Sequence, residues 1–126
     1  MRKIYKTKIN NKYKKILRPW GSYTVLIKGK GFKVKLVEAL PDKRLSLQKH
    51  KYRSEHWVVV NGKAKITNCT KEYFLKNNQS AYIAKGELHR LENCGKNRLK
   101  IIEVQCGRYL GEDDIIRIKD DFGRIQ

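Results

Sequence analysis

No apolar run in this sequence approaches the length of a membrane span. The longest, such as Trp57–Val60, hold about four residues against about 20 for a spanning helix. The start, Met1 to Lys15, is broken by lysine throughout and has no apolar segment of signal-peptide type, which predicts a cytoplasmic protein. Cysteine is scarce and odd in number: Cys69, Cys94 and Cys106 show no CxxC spacing. That excludes a disulfide framework and a zinc knuckle and fits free thiols. Acid is scarce as well. Twelve Asp and Glu stand against 30 Lys and Arg, a net charge of +18, and the first 37 residues carry twelve basic residues and no acid. Such an excess raises nucleic acid as a partner. Yet 21 of the 30 cations are scattered lysines, and no cluster of arginine forks or open-sheet aromatics is present for reading bases. Nonspecific adhesion at low salt is expected; specific nucleic-acid recognition is not. At 126 residues and 14.9 kDa there is room for one domain, and a 40% hydrophobic content is enough to give it a core.

Helical periodicity is also missing. What is present is short alternation of apolar and polar residues over Tyr23–Ile27, Lys33–Ala39, Trp57–Val60, Ala64–Thr67, Ala81–Ile83 and Leu99–Val104. Turn residues separate these runs: Lys28-Gly29-Lys30-Gly31, Pro41-Asp42, Asn61-Gly62, Asn77-Asn78, Lys85-Gly86 and Asn93-Cys94-Gly95-Lys96. Asn61-Gly62 carries the strongest hairpin signal. Strands at such spacing predict a closed or double-layered all-β fold. Five of the twelve acids fall within residues 112–121.

The polar residues inside this pattern carry the chemistry. In Leu45–His50 the side chains of Ser46, Gln48 and His50 share one face, because strand side chains alternate with a period of two. Glu55 follows after the turn at Lys51–Ser54 and can face back toward Gln48 and His50, and His89 stands just after a second turn. Two imidazoles, a carboxylate and an amide oxygen suit a first-row divalent metal with positions left open.

The spacing Gln48-x-His50-x4-Glu55-x6-Gly62 resembles the first cupin motif, with Gln in place of the usual first His. Ala84-x-Gly86-x2-His89-x3-Asn93 resembles the second, with Ala84 where Pro is usual. Beyond these, Arg18-Pro19-Trp20-Gly21, Leu45–Gln48, Arg53–Val59, the run from Glu103 to Ile115 and Asp121–Arg124 are similar to the type II phosphomannose isomerase domain. This match covers about residues 18 to 124. It divides the chain into a basic arm or extra strand over 1–17 and a single domain over 18–126. The resemblance implies a cupin double-stranded β-helix, a jelly-roll barrel, that interconverts mannose 6-phosphate and fructose 6-phosphate. In that family the domain is usually the C-terminal part of a bifunctional protein whose N-terminal domain is a mannose-1-phosphate guanylyltransferase. The length and the lack of a Gly-rich nucleotide signature predict no guanylyl transfer here.

Isomerisation moves a proton between C1 and C2 through an enediolate, so it needs a base, a stabiliser for the oxyanion and a grip on phosphate. The metal ligands are expected to be Gln48, His50, Glu55 and His89, with zinc first and manganese, cobalt, nickel or iron as rivals. Arg53, in the turn between ligand strands, is a candidate for holding phosphate or oxyanion, or else a surface arginine. Glu103, in the apolar run Leu99–Gln105, is either an outward residue, as the cost of burying a charge favours, or an inward acid–base group. Ser46, Lys35, Tyr52 and Arg117 are candidates for lining the substrate pocket. A grip on the phosphate is expected either from one of Lys33 and Lys35 reaching the barrel lumen or from Arg117, Lys119 and Arg124 closing over it. The plain readings are strand packing for Ser46, a solvated face for Lys33 and Lys35, a half-exposed ring for Tyr52, and ion pairing within the acidic loop for Arg117, Lys119 and Arg124. His56 falls on the face opposite Glu55 and is excluded as a ligand. Two other functions share this frame: a cupin acting on a different sugar phosphate or a nucleotide sugar, and a non-catalytic partner of a separate guanylyltransferase chain. Exposed strand edges make a homodimer a reasonable expectation.

Overall fold

The computed structural model describes residues 13–125, which hold eleven strands and no helix. In chain order they are β1 (Lys15–Arg18), β2 (Gly21–Gly29), β3 (Phe32–Ala39), β4 (Leu47–Lys49), β5 (Arg53–Asn61), β6 (Ala64–Asn68), β7 (Lys71–Leu75), β8 (Ser80–Ile83), β9 (His89–Asn93), β10 (Leu99–Gly107) and β11 (Ile116–Lys119). They form two antiparallel sheets, ordered β1-β2-β3-β10-β5-β8 and β11-β4-β9-β6-β7. Most of the basic arm, residues 1–12, lies outside the described residues, and its last residues enter β1 against β2.

The sheets enclose a core of Trp20, Val37, Ala39, Trp57, Val59, Ala64, Ile66, Leu75, Ala81, Ile83, Leu91, Leu99 and Ile101. The inner face of the larger sheet changes character along its strands. One cross-strand row is Val37–Ile101–Val59, the next is Lys35–Glu103–Trp57, and the next is Lys33–Gln105–Glu55. One end of the barrel is therefore oil and the other is polar, and the functional groups collect at the polar end. Burial of polar groups there is tolerated only because most are hydrogen-bonded or ion-paired to one another.

The Asn61-Gly62 turn is real, but it does not close a hairpin. β5 pairs with β8 and β10, whereas β6 pairs with β7 and β9. A two-residue type I′ hairpin needs positive φ at both central residues. Gly62 has φ +112° and Asn61 is not among the positive-φ residues, so the chain passes here from one sheet to the other. Both strands then send apolar residues, Val59 from one side and Ala64 and Ile66 from the other, into the same core.

Candidate metal centre

His50 stands just beyond β4 and His89 opens β9, and both rings are buried at the polar end of the barrel. Gln48 is the cross-strand partner of His89, which puts both side chains on the inner face. Each imidazole is oriented from behind. His50 Nδ1 donates to the Asp114 carbonyl oxygen at 2.6 Å, and His89 Nδ1 donates to that of Glu87 at 2.9 Å. With the proton fixed on Nδ1, each Nε2 presents a lone pair. These two Nε2 atoms lie 3.2 Å apart, and Glu55 Oε2 is 3.2 Å from His50 Nε2. Two lone pairs do not hydrogen-bond each other, and together with the Glu55 carboxylate they could hold a metal ion. Burial, the largest influence on His89, holds its pKa below the ordinary imidazole value and so favours the neutral, ligating form. The donor atoms of His50, Glu55 and His89 all fall within 4.8 Å of one another. This donor set fits a first-row divalent metal.

Glu55 is held firmly. Arg53 Nε donates to its Oε2 at 2.8 Å and Trp57 Nε1 to its Oε1 at 2.9 Å. Burial pushes its pKa up, but the neighbouring His50, the Arg53 guanidinium and His89 outweigh it and hold the carboxyl well below the usual range. Gln48 Nε2 donates to Ser46 Oγ at 2.9 Å, which leaves Oε1 as the atom available to a metal. Ser46, fully buried, thus orients Gln48 and also lines the cavity.

A cavity beside this cluster opens to solvent at the polar end of the barrel. Gln48, Glu55, His89, Arg53, Glu103, Ser46, Lys35 and Arg117 all line it. Arg53 is buried, so the surface reading of this residue does not hold; its Nη2 approaches His50 Nε2 at 3.3 Å and its Nη1 has no partner. Glu103 is buried as well, in place of the outward position that the cost of burying a charge suggested. Gln105 Nε2 donates to it at 2.8 Å. Burial and the Glu55 charge push its pKa up to about 8, against the pull of Lys35 and Arg53.

Lys33 and Lys35 face inward while Val34 and Leu36 face outward, the reverse of a solvated lysine face. Lys35 Nζ pairs with Glu112 at 2.6 Å, and Lys33 Nζ donates to the Leu110 carbonyl at 2.6 Å. Tyr52 lies outside the cavity. It packs edge-on against Tyr109, with the Arg108 guanidinium 4.6 Å from its ring centre. The alternation that excluded His56 explains this, since Arg53, Glu55 and Trp57 point in and the even-numbered residues around them do not. Arg124 is ion-paired to Asp120, as the plain reading had it, whereas Arg117 has no ion pair among the described residues.

Several functional residues escaped the sequence reading. Asp114 accepts from the backbone N–H groups of Lys51 and Tyr52 at 2.9 and 3.0 Å, and its own carbonyl sets His50. Glu112 closes over the buried lysines. Both belong to the acidic run that reads as a surface loop, and nothing local distinguishes them. Gln105 was legible in principle, because it lies two residues beyond Glu103 on the same strand face. Among the motif residues, Asn93 is structural: its amide spans the Ala39 and Asn97 carbonyls and the Gly95 N–H.

Comparison with solved structures fixes the architecture. The chain superposes on oxalate decarboxylase of Lactobacillus farciminis with a TM-score of 0.75 at 18% identity, covering 86% of this chain and 34% of that one. For the capsular polysaccharide assembling protein CapF of Staphylococcus aureus the TM-score is 0.74 at 20% identity, covering 85% and 32%. For the cupin domain of Schizosaccharomyces pombe Cnp3 it is 0.66 at 16%, covering 68% and 64%. The fold is the cupin double-stranded β-helix, as the two motifs implied. In sequence, the chain is 52% identical over 109 residues to the alginate biosynthesis protein AlgA of Pseudomonas aeruginosa, covering 86% of this chain and 23% of that protein. It is 49% identical over 112 residues to the xanthan biosynthesis protein XanB of Xanthomonas campestris, covering 89% and 24%. It is also 49% identical over 106 residues to a mannose-1-phosphate guanylyltransferase of Sinorhizobium fredii, covering 84% and 21%. The chain thus spans about a quarter of the length of these curated relatives. A family model described as mannose-6-phosphate isomerase C-terminal matches residues 6–120, reaching further toward the N-terminus than the motifs alone did. The chain belongs to the mannose-6-phosphate isomerase C-terminal family.

Proposed function

We propose that this domain is a metal-dependent aldose–ketose isomerase interconverting mannose 6-phosphate and fructose 6-phosphate. The observation that carries the reading is the pair of Nε2 atoms at 3.2 Å, both oriented by backbone carbonyls, beside Glu55 in a cavity rich in cations. His50, His89 and Glu55 would hold the metal, with Gln48 Oε1 as a fourth donor. A divalent ion there supplies Lewis acidity to the sugar carbonyl and hydroxyl. Glu103 is the carboxyl in the cavity that no cation claims, since Glu55 is tied to Arg53 and Glu112 to Lys35. In its ionised form Glu103 takes the proton from C2 and returns it to C1, while the C2 hydroxyl proton passes to the oxygen on C1. Gln105 holds Glu103 in place for this transfer. The unpartnered Nη1 of Arg53 is the donor available to the oxygen on which charge develops. The named relatives act in alginate and xanthan synthesis or in guanylyl transfer to mannose 1-phosphate, which supports a mannose-phosphate substrate.

The test is turnover of mannose 6-phosphate coupled to detection of fructose 6-phosphate, before and after chelation and metal add-back, with His50→Ala and His89→Ala alongside. The reading expects activity that chelation abolishes, metal restores and both variants lose. Equal turnover by either variant would overturn it. A stoichiometric metal with no turnover would transfer the site to another sugar phosphate or to a binding role.

A further inference from the structure

β11 is built inside out. Ile116 and Ile118 are 51% and 44% exposed, while Arg117 between them points into the cavity. A one-residue slip would bury both isoleucines and release the arginine to water. Hydrophobic burial alone favours that slipped register, so the register observed is one that places a guanidinium in the site. Arg117 pairs across the strands with Gln48, and Gln48 with His89. Arg117 therefore stands in the same row as the imidazole, two strands away, about 10 Å at the backbone.

The charges around Arg117 are unbalanced. Its Nε is buried without a partner. Arg18 and Arg124 also line the cavity, and their charges weigh on Arg117. Among the described residues Arg18 donates only to neutral oxygens, the Leu17 carbonyl at 3.0 Å and the Tyr23 hydroxyl at 3.4 Å. Arg124 is engaged by Asp120 through Nε and Nη2 at 2.7 and 2.9 Å. Among the described residues these three guanidiniums share one carboxylate, a surplus of two positive charges. Elsewhere in the cavity the cations are balanced, Arg53 by Glu55 and Lys35 by Glu112. A dianion with several acceptor oxygens matches such a surplus, and guanidinium forks are suited to it.

We propose that Arg18, Arg117 and Arg124 form the phosphate-end subsite of the cavity, so that a phosphomonoester lies across Gln48 with its dianion on these arginines and its reacting end at His50 and His89. The assignment of the reacting end rests on the isomerase reading; capture of the anion does not. The subsite accounts for the inverted β11, and it makes a phosphorylated sugar the ligand class and an unphosphorylated one a poor ligand.

The test titrates the metal-loaded chain with inorganic phosphate at fixed ionic strength, followed by calorimetry and by phosphorus NMR. The variants are Arg117→Gln, Arg18→Gln and Lys63→Gln. Arg18 is exposed, so its replacement leaves the fold intact if Arg117→Gln proves unstable. Lys63, at the opposite end of the barrel, controls for the general positive charge of the chain. The expected result is phosphate affinity at least tenfold weaker in Arg117→Gln, severalfold weaker in Arg18→Gln and unchanged in Lys63→Gln, with metal content equal throughout. Where mannose 6-phosphate is turned over, Arg117→Gln raises KM far more than it lowers kcat. Wild-type phosphate affinity in both arginine variants, or an equal loss in Lys63→Gln, would overturn the subsite. Phosphate binding that needs Arg117 in a protein without isomerase activity would uphold the subsite and overturn the isomerase reading.

Discussion

Replacing Glu103 by Gln removes the proposed acid–base group and almost nothing else. The side chain keeps its volume, and its amide oxygen still accepts from Gln105 Nε2 where the Glu103 carboxylate does at 2.8 Å. The swap also removes a buried carboxyl beside Glu55, so the melting temperature should stay the same or rise. General acid–base catalysis contributes about 10²- to 10⁴-fold. The upper half of that range applies here, because the other two carboxyls lining the cavity are committed to Arg53 and Lys35 and cannot substitute. The expected loss is therefore about 10³- to 10⁴-fold in kcat, or about 4–5 kcal/mol in the barrier. KM should change little and metal content not at all. The assay is steady-state conversion of mannose 6-phosphate by the metal-loaded variant, with metal quantified on the same sample. A kcat within about threefold of wild type at equal metal content would refute the role of Glu103.

Three further outcomes follow from the packing and the charges. Free divalent metal at a hundred times its Kd should stabilise the wild-type domain by about 2.7 kcal/mol, a rise of roughly 10 °C in Tm for a chain of this size; His89→Ala should show no rise in the same thermal scan. Ile66 is fully buried between the sheets, so Ile66→Ala should cost about 2–5 kcal/mol in denaturant unfolding, and a cost below 1 kcal/mol would mean that the core is packed otherwise. Asp120 is pulled down to about 2, chiefly by the hydrogen bond from Arg124. Its folded pKa is depressed, so the Arg124 clasp contributes stability above the ordinary carboxylate range and loses it as pH falls toward 2; a midpoint near 4 for this carboxyl in a carbon-detected NMR titration would contradict the clasp.

The barrel and the candidate ligand cluster were legible because both depend on short-range spacing. Alternation places Gln48, His50 and Glu55 on inner faces whatever the rest of the chain does, and the same rule kept His56 out. It failed where charge and polarity run against the usual pattern. In β3 the lysines point in and Val34 and Leu36 point out, and in β11 Arg117 points in between two exposed isoleucines. Reading apolar residues as the inner face therefore gives the wrong side for the strands whose cations serve the cavity. Glu103 was misjudged for a related reason. The price of burying a lone carboxylate is real, but Gln105, Lys35 and Arg53 offset it, and the two cations are brought near only by the fold. Glu112 and Asp114 were out of reach because they act across 77 and 64 residues of chain, on Lys35 and on His50. The Asn61-Gly62 turn was found, but a turn signal does not say which strand pairs with which.

The most direct test of the account is a phosphorus and proton NMR time course of metal-loaded protein mixed with mannose 6-phosphate alone. The account predicts that fructose 6-phosphate signals grow toward a fixed ratio, stop on addition of chelator and resume when metal is restored. A protein carrying one metal per chain that leaves the mannose 6-phosphate spectrum unchanged would contradict it.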